Sequence, residues 1–311
     1  MQAEVLTMTN DLNHDEWLDI RKKGIGGSDA AAIAGLNKWK SPVAVYMEKI
    51  GEIQGDRIDS EAAYFGNVLE DVVAQEFSRR TGLKVRRRNA MLQHPEHPWM
   101  IANIDRLIVG EKTGLECKTT SAFLADQWDG EEVPIQYILQ CQHYMAVTGF
   151  KAWWIAVLIG GNKFVYKKIE RDDELISNLI DIEKDFWENH VVPQIPPDFD
   201  GSEASSELLK AMYPEAEPES EIELPDEAYT LIYALDEIKT EMDELSTRKK
   251  EYENKLKSML GNFETGIARD RIVTWKPYSR KTVDSKRLKK ERPEIYEQYL
   301  KESHSRRFNI K

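Results

Sequence analysis

What most constrains this chain is the order of its elements. Strand-like segments cluster at 84–88, 90–93, 99–107 and 114–119, after a helical N-terminal part and before a helix at 134–148. Two more strands follow at 151–159 and 163–169, then a helix at 171–190 that ends before Pro193 and Pro196-Pro197. Helices bracket the strands instead of alternating with them one for one, which excludes a doubly wound βαβ array. The pattern predicts an α/β core, a mixed sheet flanked by helices. Ahead of the strands, Phe65, Leu69, Val72, Val73 and Phe77 recur at the helical period within 60–81, and Gly82 closes that helix. Shorter helices are predicted at 10–23, capped by Asn10 or Asn13, and at 41–50. Between these two, the turn Gly24-Ile25-Gly26-Gly27-Ser28 leads into a small-residue helix, 29–34, with Ser28 as its cap.

Beyond residue 197 the composition changes. Residues 198–225 are acidic, hold Pro214, Pro218 and Pro225, and read as a linker with one short helix at 205–212. Residues 226–260 read as one long charged helix. Its apolar positions Leu231, Leu235, Ile238, Met242, Leu245, Tyr252, Leu256 and Leu260 recur at threes and fours, the pattern of a helix that pairs with another. A hairpin around Arg269-Asp270, a basic helix at 285–302 interrupted at Pro293, and a strand at 306–310 complete the reading. The expected organisation is a domain at 1–197, a linker at 198–225, and a C-terminal region at 226–311 made of the long helix and a small α+β appendage.

Composition narrows the function classes. With 43 Lys+Arg against 55 Asp+Glu in 311 residues, the net charge is −12, which by itself disfavours a nucleic-acid partner. The charge is uneven, however: residues 269–311 carry +8 and residues 201–268 carry −10. Trp275, Tyr278 and Phe308 interleave with the basic tail, which suits either DNA or an acidic neighbour. Two cysteines, Cys117 and Cys141, make neither a disulfide scaffold nor a four-thiolate metal site. With no apolar run of membrane length and no signal-peptide core, the chain reads as a cytoplasmic protein without a membrane partner.

The residues that point to chemistry are Asp105, Glu116 and Lys118. Glu116 and Lys118 stand two apart on a strand and share a face, while Cys117 points the other way. A hairpin through 109–114 brings Asp105 beside them. Two neighbouring carboxylates repel unless a cation cancels the cost. Hard oxygen donors favour Mg2+, with Mn2+ as a substitute, and Lys118 would orient a water or steady a phosphate. The plain alternative is a surface ion pair between Glu116 and Lys118. Glu70 follows Gly66 and precedes Val73 and Phe77 on one stripe, so it faces inward or bends out toward Arg79 or Arg80. Gln140 and Tyr144 stand one turn apart, either meeting a phosphate or forming a solvated helix face. Trp17 and Arg21 are likewise one turn apart, and Arg21 with Ser28 makes either a phosphate seat or an ordinary capped loop.

Taken in order, Trp17-x-x-x-Arg21, Gly24-x-Gly26-Gly27-Ser28, Gly66-x-x-x-Glu70, Ile104-Asp105, Leu115-Glu116-Cys117-Lys118 and Gln140-x-x-x-Tyr144 resemble the YqaJ-type viral recombinase family, close to the lambda-type phage exonucleases of the PD-(D/E)xK nuclease superfamily. The similarity spans about residues 10–195. Ile104 stands where the family's motif has proline, and the upstream acidic residue of the lambda-type enzymes has no clear counterpart here beyond Glu96. The resemblance implies a restriction-endonuclease-like core in a metal-dependent exonuclease of prophage-type DNA recombination. Such an enzyme degrades duplex DNA ends 5′ to 3′ and leaves 3′ single-stranded overhangs. It implies Glu70, Asp105 and Glu116 as Mg2+ ligands and Lys118 as the catalytic lysine. Gln140 would hold water or the scissile phosphate, and Arg21, Ser28 and Tyr144 would contact DNA, the first two at the 5′-phosphate. It also implies a single-strand annealing partner of the RecT type and a homo-oligomer, with a ring-shaped trimer as its form. An endonuclease on the same core and a non-catalytic recombination scaffold are the other readings left open.

Overall fold

The computed structural model describes residues 3–53, 61–302 and 305–310. Two units divide the chain, Met1–Met212 and Tyr213–Lys311. In the first, β1 (Glu4–Met8), α1 (His14–Arg21), β2 (Ile25–Gly26), α2 (Gly27–Ile33), α3 (Pro42–Ile50) and α4 (Glu61–Thr81) precede the strands. Next come β3 (Val85–Arg87), β4 (Ala90–Gln93), β5 (Met100–Asn103), β6 (Arg106–Ile108) and β7 (Thr113–Thr120). A 3-10 turn at Ala122–Trp128 leads to α5 (Ile135–Thr148), β8 (Ala152–Ile159), β9 (Lys163–Glu170), α6 (Asp173–Phe186) and α7 (Glu203–Met212).

Two sheets share the work. One has the order β3-β6-β7-β8-β9, with β7 and β8 parallel and the other pairs antiparallel. The other has the order β1-β4-β5-β2. In β8, Trp153, Ile155 and Val157 enter the larger core with Met145 and Tyr144 of α5. The alternate residues Trp154 and Ala156 enter the core built on Val73, Ala74 and Phe77 of α4. Burial on both faces of a strand is what a helix on each side of the sheet requires. Gly114 on β7 is fixed by the same packing: a Cβ there would sit 2.1 Å from the Trp153 ring. A buried pair on the α5 side, His143 Nδ1 to Glu183 Oε1 at 2.8 Å, ties α5 to α6, and His143 Nε2 meets the Ile101 carbonyl oxygen of β5 at 2.9 Å.

Several elements depart from the sequence reading. The strand expected over 99–107 is two strands in two sheets, broken at Ile104-Asp105, where the Asp105 carboxylate accepts the Cys117 N–H at 2.9 Å. The helix expected at 10–23 starts at His14, because Asn13 and Glu16 close a reciprocal cap. β1 and the 3-10 turn carry no sequence-periodic signal and were not expected. The segment read as a linker from 198 begins inside the first unit: α7 packs on α3 and buries Ser205. The helix expected from residue 60 begins among the described residues at Glu61.

The second unit holds α8 (Asp226–Leu260), the hairpin β10 (Thr265–Ala268) and β11 (Arg271–Thr274), then α9 (Ser285–Glu291) and α10 (Pro293–Gln298). Arg269 takes a left-handed backbone, φ 58°, to close the hairpin. Pro293 starts α10 in place of continuing α9, since it has no N–H to give the preceding turn. The strand expected at 306–310 is irregular instead; no strand pairs with it among the described residues. Among the described residues no helix is long and apolar enough to cross a membrane.

The turn joining β4 to β5 depends on a neutral imidazole. His94 Nδ1 accepts the N–H groups of Glu96 at 3.1 Å and His97 at 3.0 Å, so protonation there removes both bonds. Burial, with His97 beside it, lowers this histidine from 6.5 to about 4. A depressed folded-state value stabilises above the unfolded value and is lost as the pH falls through the folded one. Urea midpoints are therefore expected to fall between pH 6.5 and pH 4, by up to about 3 kcal/mol. The slope flattens in His94→Asn, which keeps an acceptor that does not titrate.

Candidate functional site

β7 presents Glu116 and Lys118 on the α5 face, while Leu115 and Cys117 pack toward α4. Glu116 is 2% exposed. Its Oε1 accepts Lys118 Nζ at 2.6 Å and Gln140 Nε2 at 2.7 Å, and its Oε2 is buried with no partner. Gln140 Nε2 also donates to the Tyr144 hydroxyl at 2.9 Å. Lys118 Nζ stands 5.6 Å from the Tyr137 ring centroid. Antiparallel pairing of Arg106 with Leu115 sets Asp105 next to this group from the neighbouring strand. The Glu116–Lys118 ion pair is buried and not on the surface, and Asp105 lies beside it. The Gln140 and Tyr144 stripe is a buried face of α5, not a solvated one.

The electrostatics are those of crowded carboxylates away from water. Burial raises the Asp105 carboxyl well above its ordinary range, and the charges of Glu116 and Glu70 push it further; Lys118 and the Cys117 N–H oppose them. Burial would lower Lys118, but Glu116 and Asp105 outweigh it and hold the ammonium charged. Burial also raises the Tyr144 phenol and the Cys117 thiol, so both stay neutral.

Glu70 on α4 bends neither to Arg79 nor to Arg80, which both pair with Glu76. It pairs with Arg106, whose second nitrogen binds Asp71 at 2.5 Å. Arg106, 4% exposed on β6, carried no spacing signal, because its partners lie 35 and 36 residues earlier. Among the described residues no three His, Cys, Asp or Glu side chains converge into a closed metal cage. The residues nonetheless fit a hard divalent cation. Asp105 and Glu116 offer oxygen donors, one Glu116 oxygen is buried and unpartnered, and Mg2+ is commonly held by one or two carboxylates with the rest of its shell left to water and phosphate.

A second polar group lies where α2 packs on α5. Arg21 donates to Ser28 Oγ at 3.0 Å and stacks 4.9 Å from the Trp17 ring centroid. Beneath them Asp29, fully buried, gathers Lys49 at 2.7 Å, Lys40 at 3.1 Å and Arg21 at 3.6 Å. Lys40 also reaches Glu48 at 2.5 Å. Burial would raise the Asp29 carboxyl, yet Lys40, Lys49 and Arg21 hold it well below the usual range. The sequence reading found Arg21 and Ser28 and missed Asp29, Lys40, Lys49 and Glu48; an acidic residue inside an alanine-rich helix was the only hint. Gly27 couples the two groups: a Cβ there would meet the Tyr144 ring at 2.7 Å and the Gln140 carbonyl at 3.1 Å. The glycine lets α2 lie directly on the helix that carries Gln140 and Tyr144.

Residues 16–151 match the model of the YqaJ-like viral recombinase domain. The chain is 47% identical over 312 residues to the uncharacterized protein YqaJ of Bacillus subtilis (strain 168), covering 100% of this chain and 98% of that one. The chain belongs to the YqaJ-like viral recombinase family. The solved structure of LHK-Exo in complex with dAMP covers 64% of this chain and 97% of its own, with 22% identity and a TM-score of 0.50, and shares the fold. A second structure of LHK-Exo, an alkaline exonuclease from Laribacter hongkongensis, covers 64% of this chain and 97% of its own at 20% identity, with a TM-score of 0.48.

Asp29 is the residue whose loss unbalances most. Asp29→Ala leaves three cations facing one another around a dry gap and is expected to cost about 3–5 kcal/mol in urea unfolding. Lys22→Ala, which removes an exposed pair with Asp19, is expected to change stability by less than about 1 kcal/mol.

Proposed function

We propose that this protein is a metal-dependent exonuclease that hydrolyses duplex DNA from its 5′ ends and leaves 3′ single-stranded overhangs. The observation that carries the reading is the buried, unpartnered Glu116 oxygen beside an Asp105 carboxyl held up by like charge, with Lys118 on the same strand face. Such a site binds a divalent cation readily and a phosphodiester only with one. Asp105 and Glu116 would hold Mg2+, or Mn2+ in its place, with Glu70 able to join if it leaves Arg106. The ion supplies Lewis acidity toward the phosphate and the attacking water and offsets charge on the departing oxygen.

The protein's own groups do the rest. Lys118, kept charged, holds the scissile phosphate against Glu116. Gln140 is anchored by Glu116 and Tyr144 and fixes the carboxylate's rotamer, so the unpartnered oxygen stays aimed into the site. Arg21 and Ser28, backed by Lys40, offer charge-assisted donors to a terminal 5′-phosphate. Three cations, Arg21, Lys40 and Lys49, gather there, which suits a phosphate. On this reading the overhang passes to a RecT-type annealing protein, and a ring-shaped homotrimer is the assembly that the lambda-type resemblance implies. LHK-Exo, which shares the fold, is described as an alkaline exonuclease, in keeping with this reading.

Digestion of linear duplex DNA tests it. Wild type is expected to be active with Mg2+ and inactive with chelator, and Lys118→Ala to lose roughly 100- to 1,000-fold. Equal activity of the two proteins overturns the assignment, and linearisation of closed circular DNA reassigns the core to an endonuclease. Wild type is also expected to degrade 5′-phosphorylated ends faster than 5′-hydroxyl ends. Arg21→Ala abolishes that preference; the same preference in both proteins removes Arg21 from the seat.

A further inference from the structure

α8 is 35 residues long, roughly 52 Å, and one face of it is apolar and uncovered. Leu231, Leu235, Ile238, Met242 and Leu245 follow one another at alternating steps of four and three, and the series resumes in register at Tyr252 and Leu256. That is the a/d pattern of a coiled-coil seam, broken once by Lys249. Every one of those seven side chains is between 43% and 64% exposed. In a lone helix such a seam leaves its apolar surface in water, and among the described residues the unit's own tail covers it only in part. Phe308 and Ile310 only flank an open groove of about 490 Å³ over Leu235, Ile238 and Met242.

Charge identifies the occupant. The first part of α8, 226–245, carries seven acidic residues and one basic, net −6; the remainder, 246–260, carries five basic and two acidic, net +3. A helix polarised in this way is complementary to a copy of itself running the other way, and a parallel copy would set like blocks together. The seam gives the same answer. An antiparallel copy centred between Met242 and Leu245 sets Leu231 against Leu256, Leu235 against Tyr252, and Lys249 against Ile238. Glu241 and Arg248 then face each other twice across the interface. A parallel copy would set Lys249 against its own twin inside the seam.

We propose that α8 is a self-association element, pairing antiparallel with α8 of a second copy of this chain. The pairing is independent of the nuclease reading, since it rests on residues of α8 alone. It gives the protein a two-fold contact whose strength falls with added salt, because its direction is set by charge blocks.

The test uses the full chain, whose own Cys117 and Cys141 are buried. Leu231→Cys and Leu256→Cys proteins are oxidised separately and as a mixture. A disulfide-linked dimer is expected in the mixture alone. Self-linking of either single variant shows a parallel pair and overturns the proposal; no linked dimer in any sample overturns it as well. Independently, Leu245→Glu is expected to lower the mass measured by light scattering, with the circular dichroism of wild type retained. An unchanged mass refutes the pairing. DNA digestion by Leu245→Glu reads separately on the nuclease assignment.

Discussion

A buried carboxylate, Glu116, with the half-buried Asp105 beside it sets the terms for the first unit. Asp105 and Glu116 repel each other, and burial removes the solvent that would screen them. The arrangement persists because each is partly compensated. Lys118 shares the face of Glu116, Gln140 reaches it from α5, and the Cys117 N–H is given to Asp105. Those partners come from a strand and a helix locked together by the packing of β8 and α5. The compensation is incomplete, since one oxygen of Glu116 has nothing to accept from. A group left in that state in a packed interior stores binding energy for whatever supplies the missing positive charge.

The Arg21 cluster solves the opposite problem. There a single buried carboxylate, Asp29, organises three cations. The cluster adjoins the Glu116 group where α2 lies on α5. Gly27 sets the spacing between them, because any side chain there would force α2 off Tyr144. The basic tail and the polarised α8 belong to the second unit, whose charge is arranged in blocks along the chain and not buried in a core.

The core α/β architecture was legible because periodicities of two and of three to four carry it. The β-rich run of 151–159, the alternation of Lys163 to Ile169 and the helical stripe through Val73 and Phe77 are local and strong. Boundaries were less so. Trp99 to Leu107 reads as one strand, since nothing local marks the place where Asp105 turns its carboxylate onto a neighbouring backbone. Residues 306–310 read as a strand, and among the described residues no strand pairs with them. Glu116 and Lys118 were placed on one face by spacing alone, with Asp105 beside them through the hairpin.

The sequence by itself determined the element order, the face-sharing of Glu116 and Lys118, and the seam on α8, because each depends on residues a few positions apart. Only the tertiary structure decided that Gln140 and Tyr144 are buried against Glu116, that Glu70 is taken by Arg106, and that Asp29 gathers Lys40 and Lys49. Those partners lie from eleven to 36 residues apart. Charge pairing in an interior is chosen by which groups are desolvated together, and no linear spacing records that.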